Sequence, residues 1–93
     1  MSQIKDYLTE NKDQLDTFTS AITRAHGKNH PEVFEVRDIF VNIEQKIAHG
    51  DENLTADFNR LTDVTNNFAI PNDVCPVFQA TYQMLSEMNH LVV

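Results

Sequence analysis

Apolar side chains recur along this 93-residue chain at intervals of three, four and seven positions, and few glycines or prolines interrupt them. This spacing places the apolar side chains on one face of an α-helix. The chain has only two glycines and three prolines, so long stretches are free to be helical. The pattern therefore predicts an all-α protein. A chain of this length builds one small domain, residues 1–93, around a single core.

Four segments carry such an apolar stripe. The first is predicted to cover about 22 residues and to stop at Gly27, and the second to begin at Pro31 and stop at Gly50. A shorter third helix ends before a pair of asparagines, and the fourth begins near Pro76. The stripes consist of Ile4, Tyr7, Leu8, Leu15, Phe18, Ile22 and Ala25; Val36, Ile39, Phe40, Ile43 and Ile47; Leu54, Phe58, Leu61 and Val64; and Phe78, Tyr82, Leu85, Met88 and Val92.

Polar residues before each later helix are candidates to cap its first N–H groups. The candidates are Asn29 or His30 for the second helix, Asp51, Asn53 or Thr55 for the third, and Asp73 for the fourth. The links between the helices are short, and short links force consecutive helices to run antiparallel. The predicted architecture is therefore an up-down-up-down antiparallel four-helix bundle.

Charge and cysteine content narrow the classes of function. Seven basic and fourteen acidic side chains give a net charge of −7, which disfavours binding to nucleic acid or to an anionic membrane. We find neither a signal-peptide pattern nor an apolar run of membrane-spanning length, so we expect a cytoplasmic protein. Cys75 is the only cysteine, so an internal disulfide and a multi-cysteine zinc site are both excluded.

The histidines are the candidates for metal ligation, since helical bundles often hold metals through Glu-x-x-His pairs. Glu87 and His90 have that spacing, but at about 100° per residue both point away from the stripe of their helix. His49 and Glu52 flank a glycine and are expected at a solvated helix end. His26 lies on the apolar side of the first helix, so we expect it to be partly buried, either as a structural hydrogen-bonding group or as a ligand.

Cys75 stands near the predicted start of the last helix. The positive end of a helix favours a thiolate, which would make Cys75 a reactive thiol, whereas free cysteines are often buried and inert. Both interpretations stay open. The chain has neither a glycine-rich phosphate loop nor a Ser/His/Asp pattern, so we expect no enzymatic activity.

Two segments carry a resemblance to a known family. The first, "ITRAHGKNHPEVFEVRDIF", supplies Arg24, Ala25, His26, Gly27, His30, Pro31, Glu32 and Val33, and the second, "LTDVTNNFAIPNDVCPVFQATYQML", supplies Thr65, Asn66, Asn67, Phe68, Pro71, Asp73, Cys75, Phe78 and Tyr82. In these residues and their order the chain resembles the hemerythrin-like domain of the RIC family, the di-iron proteins that repair iron centres in damaged iron–sulfur clusters. The resemblance implies a hemerythrin-like fold.

The family's iron ligands are mostly missing at the matching positions. The resemblance puts Lys5 where the first ligand histidine would stand and Asp51 near the position of the third-helix histidine. The ligand-bearing turn after the second helix is contracted to "AHGDEN", and the sequence ends before the last His-x3-Glu pair would come. The family's cysteine-bearing N-terminal domain is not matched either.

These differences lead to the expectation of a shortened, metal-free relative that acts as an accessory or protein-interaction module. Its partner would be another protein or a second copy in a homodimer. One alternative is an iron protein in iron–sulfur cluster repair whose site is completed between chains by His26, His49, Glu52 or His90. Another is thiol sensing through Cys75.

Overall fold

The described residues form four α-helices, which confirms the predicted all-α class. The structure is a computed structural model, and it describes residues 3–51 and 53–92. The helices are α1 (Gln3–His26), α2 (Glu32–Ala48), α3 (Thr55–Val64) and α4 (Pro76–Val92). Each predicted stripe falls within one of these helices or beside its start. None of the described helices is both long and apolar enough to cross a membrane.

Contacts between side chains fix the directions of the helices. Tyr7 near the start of α1 donates a hydrogen bond to Glu87 near the end of α4, at 2.8 Å. At the other end of α1, His26 contacts Cys75 just before α4, so the two helices are antiparallel. α1 packs extensively against both α4 and α2, and α3 packs more closely against α2 than against α4. This packing is that of a four-helix bundle.

The core runs along the inner faces of all four helices. Of the predicted stripe residues, Tyr7, Phe18, Val64 and Val92 are only half-buried and Ala25 is exposed. The buried apolar residues are Ile4, Leu8, Leu15, Ile22, Val33, Val36, Ile39, Phe40, Ile43, Ile47, Leu54, Phe58, Leu61, Phe78, Tyr82, Leu85 and Met88.

Polar side chains tie α2 to its neighbours. The carboxylate of Asp57 on α3 is buried and accepts hydrogen bonds from Asn42 at 2.8 Å and from the Lys46 ammonium at 2.7 Å. Removing a charge from water is costly unless a partner compensates it, so this pairing is what allows Asp57 to be buried. Arg37 similarly donates to Asp16 on α1 at 3.0 Å.

The predicted caps of α2 and α3 are wrong. α2 has Pro31 at its N-cap position and α3 has Leu54, and neither of these two residues makes a side-chain cap hydrogen bond. Asp51 instead accepts the backbone N–H of Asn53 at 2.9 Å, within the link. Asp73, the predicted cap of α4, contacts His30. In the folded chain these side chains bind other partners, and the local sequence pattern does not show which partner each side chain binds.

The turn after α3 has an uncommon backbone. Asn66, Asn67 and Phe68 have φ angles of 55°, 61° and 59°, all in the left-handed region. Asparagine tolerates this region better than most residues, whereas a bulky side chain such as that of Phe68 rarely adopts it. Thr65 holds the turn, because its hydroxyl donates to the carbonyl of Leu61 and accepts the N–H of Phe68 at 2.9 Å.

Candidate functional site

The end of α1 and the start of α4 bring together the only thiol of the chain and a histidine. Nε2 of His26 lies 3.2 Å from Sγ of Cys75, although 49 positions separate the two residues. Cys75 is half-buried, and its carbonyl accepts the N–H of Gln79, which places it at the first turn of α4. The predicted partial burial of His26 is confirmed.

His30 lies beside this pair, between two carboxylates. Its Nδ1 is 3.1 Å from Glu32 and its Nε2 is 2.9 Å from Asp73. Both ring nitrogens therefore face an acceptor, an arrangement that the doubly protonated imidazolium satisfies. The hydrogen bond to Asp73, reinforced by Glu32 and opposed by burial, raises the pKa of His30. The same contact lowers the pKa of Asp73.

The two pKa shifts determine how the stabilising effect of the contact between His30 and Asp73 depends on pH. Because the pKa of His30 is raised on folding, its contribution to stability is present at acidic pH and is lost as the pH rises through the folded value. The Asp73 contribution is lost in the opposite direction, as the pH falls through its lowered pKa. The contact is therefore strongest in mildly acidic solution.

Aromatic packing joins the two histidines to the core. The ring of Phe78 lies 5.3 Å from that of His26 and 5.7 Å from that of His30, in edge-on geometry. We call His26, His30, Asp73, Cys75 and Phe78 the loop-end cluster. All five come from the segments 22–40 and 61–85, and the fold brings those segments into direct contact.

The chemistry available to the loop-end cluster is that of a thiol beside an imidazole. Such a pair is found in reactive thiol sites, where the ring accepts or donates the thiol proton. The loop-end cluster is less suited to metal binding, because both ring nitrogens of His30 already contact carboxylates. Among residues 3–51 and 53–92, no group of three or more His, Cys, Asp or Glu side chains is placed to hold a metal ion.

Two other metal candidates, His49 and His90, lie at the opposite end of the bundle. His49 is exposed at the C-terminal end of α2, as predicted, and Glu52 lies outside the described residues. His90 is exposed and lines a shallow groove with Tyr7 and Glu87. Burial and the hydrogen bond to Glu87 raise the pKa of Tyr7. Glu87 and His90 are both exposed, as the helical spacing predicted, and the Glu87 carboxylate accepts a hydrogen bond from the Tyr7 hydroxyl.

Two features were not predicted from the sequence. The first is a cleft of about 260 Å³ beside the turn between α3 and α4, which we call the α3–α4 cleft. It is lined by Glu32, Thr65, Asn66, Ile70, Pro71 and Tyr82, among others. The asparagine pair signalled a turn, but the apolar spacing assigned Tyr82 to the core and gave no sign that its hydroxyl borders a cleft.

The second feature is a pair of carboxyl groups between α1 and α2. Burial, and then the nearby carboxyl of Asp16, raise the pKa of Glu44 to about 7, while Lys12 and Arg37 oppose the shift. Oε2 of Glu44 is buried and has no hydrogen-bond partner within residues 3–51 and 53–92. A hydrogen bond between two carboxyl groups requires one of them to be protonated, and the raised pKa favours Glu44 as the group that carries the proton. The pattern of apolar residues carries no signal for this pair.

Comparisons with protein-family models, with curated protein sequences and with solved structures find no match to this chain.

Proposed function

We propose that this chain is a small, non-catalytic helical interaction module, related to the hemerythrin-like bundle of RIC proteins, that has lost the di-iron site. The observation that carries the proposal is the loop-end cluster. Residues of the two family-like segments meet there, with His26 3.2 Å from Cys75 and His30 2.9 Å from Asp73. A contact between segments more than 40 positions apart is expected if both segments preserve one ancestral packing arrangement.

The donors at the opposite end do not fit a di-iron centre. Such a centre needs several histidine and carboxylate ligands acting together on the metal. Lys5, which the resemblance aligns with a ligand histidine, lines a groove with Lys12 and Glu44 and brings positive charge there. Asp51 is exposed and accepts a backbone N–H from Asn53. These contacts support a bundle in which that end no longer serves a metal.

Two features of the surface support binding to another protein. Phe34 is 54% exposed and Ile70 is 37% exposed, although both are large apolar side chains. Aromatic residues such as Phe34 are enriched at protein interfaces, and Ile70 borders the α3–α4 cleft. The net charge of −7 favours a basic partner surface.

One preparation tests both parts of the proposal. The full chain is purified from iron-supplemented cells, and metal content, absorption spectrum and molar mass in solution are measured on the same sample. We expect iron well below one equivalent, and a complex with a second protein or a second copy. Stoichiometric iron with a di-iron absorption band would refute the metal-free part, and a partnerless monomer would refute the interaction part.

The alternative of an iron site completed between chains is supported by the exposure of His49 and His90. If the sample contains iron, the variants His49→Ala and His90→Ala distinguish the origin of the site. Loss of both iron and dimer in these variants would establish a site shared between chains. His30→Ala is the control, since its ring nitrogens already face Glu32 and Asp73.

A further inference from the structure

We infer that the α3–α4 cleft receives the guanidinium group of an arginine on a basic partner protein. The inference rests on the proposed interaction function and names the chemistry of the partner. It is carried by a buried hydroxyl, a carboxylate, the size of the cleft and the charge around it.

The hydroxyl belongs to Tyr82, whose side chain borders the cleft. Tyr82 is 1% exposed, and its oxygen has no hydrogen-bond partner among the described residues. Leaving a buried polar group unpaired is unfavourable, so a buried hydroxyl without a partner in the wall of a cleft points to a ligand. Burial, and then the nearby carboxylate of Glu32, raise the pKa of Tyr82. Tyr82 and Glu32 both line the cleft.

The charge in the cleft is negative. Glu32 borders the cleft, and its contact with His30 does not neutralise the site, because His30 also contacts Asp73. Even when the imidazole is protonated, its one positive charge between two carboxylates leaves one net negative charge. The residues that line the cleft include neither lysine nor arginine. A cationic group is therefore the complementary ligand.

The size and rim of the cleft favour one side chain over a larger molecule. Its volume of about 260 Å³ lies below the range of about 300–1,000 Å³ that is typical of small-molecule sites. Ile70 and Pro71 offer apolar surface on which the methylene groups of a long side chain can pack. Arginine suits the site better than lysine, because its planar group has several donors and is less strongly hydrated.

A separate protein is favoured over a second copy as the source of the arginine. Two copies of this chain would bring two net charges of −7 together, and their repulsion opposes a dimer. A basic partner gains from the same charge.

The test is a titration of the full chain, followed by amide NMR shifts, with a blocked Gly-Arg-Gly tripeptide. The matched peptide with citrulline has nearly the same shape without the charge. We expect the arginine peptide to shift the amides of Glu32 and of residues 64–71, and the citrulline peptide to leave them unchanged. Tyr82→Phe and Glu32→Gln should each weaken binding by about fivefold or more. Glu10→Gln, an exposed position outside the cleft, should not weaken it.

Several results would overturn the inference. They are equal shifts with the citrulline peptide, shifts spread over acidic residues elsewhere, or unchanged binding in both cleft variants. Tyr82→Phe keeps the buried ring and removes an unpaired hydroxyl, and Glu32→Gln changes a partly exposed residue, so at least one variant should remain folded.

The source of the arginine is tested separately. A dimer that dissociates when exposed Arg24 is changed to Gln would place the arginine on a second copy and would refute the assignment to a different protein. If the tripeptide fails but a purified partner binds at another surface, the inference fails while the proposed function stands. If the tripeptide binds the cleft but the chain is isolated without a partner, the cleft binds arginine and the proposed function as an interaction module fails.

Discussion

Gly27 is the position at which a single added methyl group should disturb the bundle most directly. A Cβ atom there would lie 2.4 Å from the carbonyl oxygen of Thr23 and 2.5 Å from Cζ of Phe34. The carbonyl accepts the N–H of Gly27 itself at 3.1 Å, so it cannot move away without opening the last turn of α1. The Phe34 ring is 54% exposed and can rotate. The backbone contact should therefore dominate the cost.

The expected magnitude for Gly27→Ala follows from these contacts. Overpacking a tight site costs about 1–3 kcal/mol, and the loss of backbone freedom in the unfolded chain returns about 0.4–1 kcal/mol. We expect a net loss of about 1–2 kcal/mol in the free energy of unfolding. For a domain of this size that corresponds to a fall of about 5–15 °C in the midpoint of thermal unfolding, measured by far-UV circular dichroism.

A double-mutant cycle separates the two contacts. Phe34→Ala removes the ring, so Gly27→Ala should cost less in that background, with a coupling of about 0.5 kcal/mol or more. Gly50→Ala serves as the control. Gly50 has a φ of 80° with open space around its added Cβ, so its cost of about 1–2 kcal/mol should be independent of Phe34. A Gly27→Ala protein as stable as the wild type, or additive effects with Phe34→Ala, would refute this reasoning.

Two further predictions concern titration and the thiol. Glu44→Gln is expected to raise the free energy of unfolding by about 1 kcal/mol near pH 8 and to change it little near pH 5. The pKa of Glu44 is raised to about 7, so the stability of its neutral form is lost as the pH rises towards that value. Chemical denaturation of the wild type and of Glu44→Gln at each pH measures the difference in the free energy of unfolding. The wild type is needed as the reference, because His30 contributes a loss in the same direction in both proteins. An equal gain at both pH values would contradict the prediction. His26→Ala is expected to speed alkylation of Cys75, because the ring 3.2 Å from Sγ shields the thiol. Slower alkylation, measured by mass spectrometry, would instead identify His26 as a base that activates the thiol, and a Cys75-linked dimer under oxidants would support thiol sensing.

The helices could be predicted because their signal is local. The spacing of Ile4, Leu8, Leu15 and Ile22 predicts the buried face of α1, and Gly27 marks the end of that helix to within one residue. Asp73 illustrates what a local pattern cannot supply. Its position predicted a cap for α4, while its contact with a histidine 43 positions away gave no local signal.

The candidate site was only partly predictable for the same reason. His26 and Cys75 were each identified from their own surroundings, but their contact depends on how α1 packs on α4. The helical spacing of apolar residues correctly predicted that Tyr82 is buried. Burial alone does not indicate whether the Tyr82 hydroxyl has a hydrogen-bond partner. Whether Glu44 meets Asp16 depends on the relative position of α1 and α2 along their axes.

The shortness of α3 has a consequence for how this protein opens. α3 has 10 residues against 24 in α1, and it packs only lightly on α4. Phe58 and Leu61 are the buried apolar residues within it. Amide hydrogens of α3 should therefore exchange with solvent through a local opening well below the global free energy of unfolding, while those of α1 persist. Because Thr65 ends α3 and also borders the α3–α4 cleft, a ligand held in that cleft should slow exchange along the whole helix.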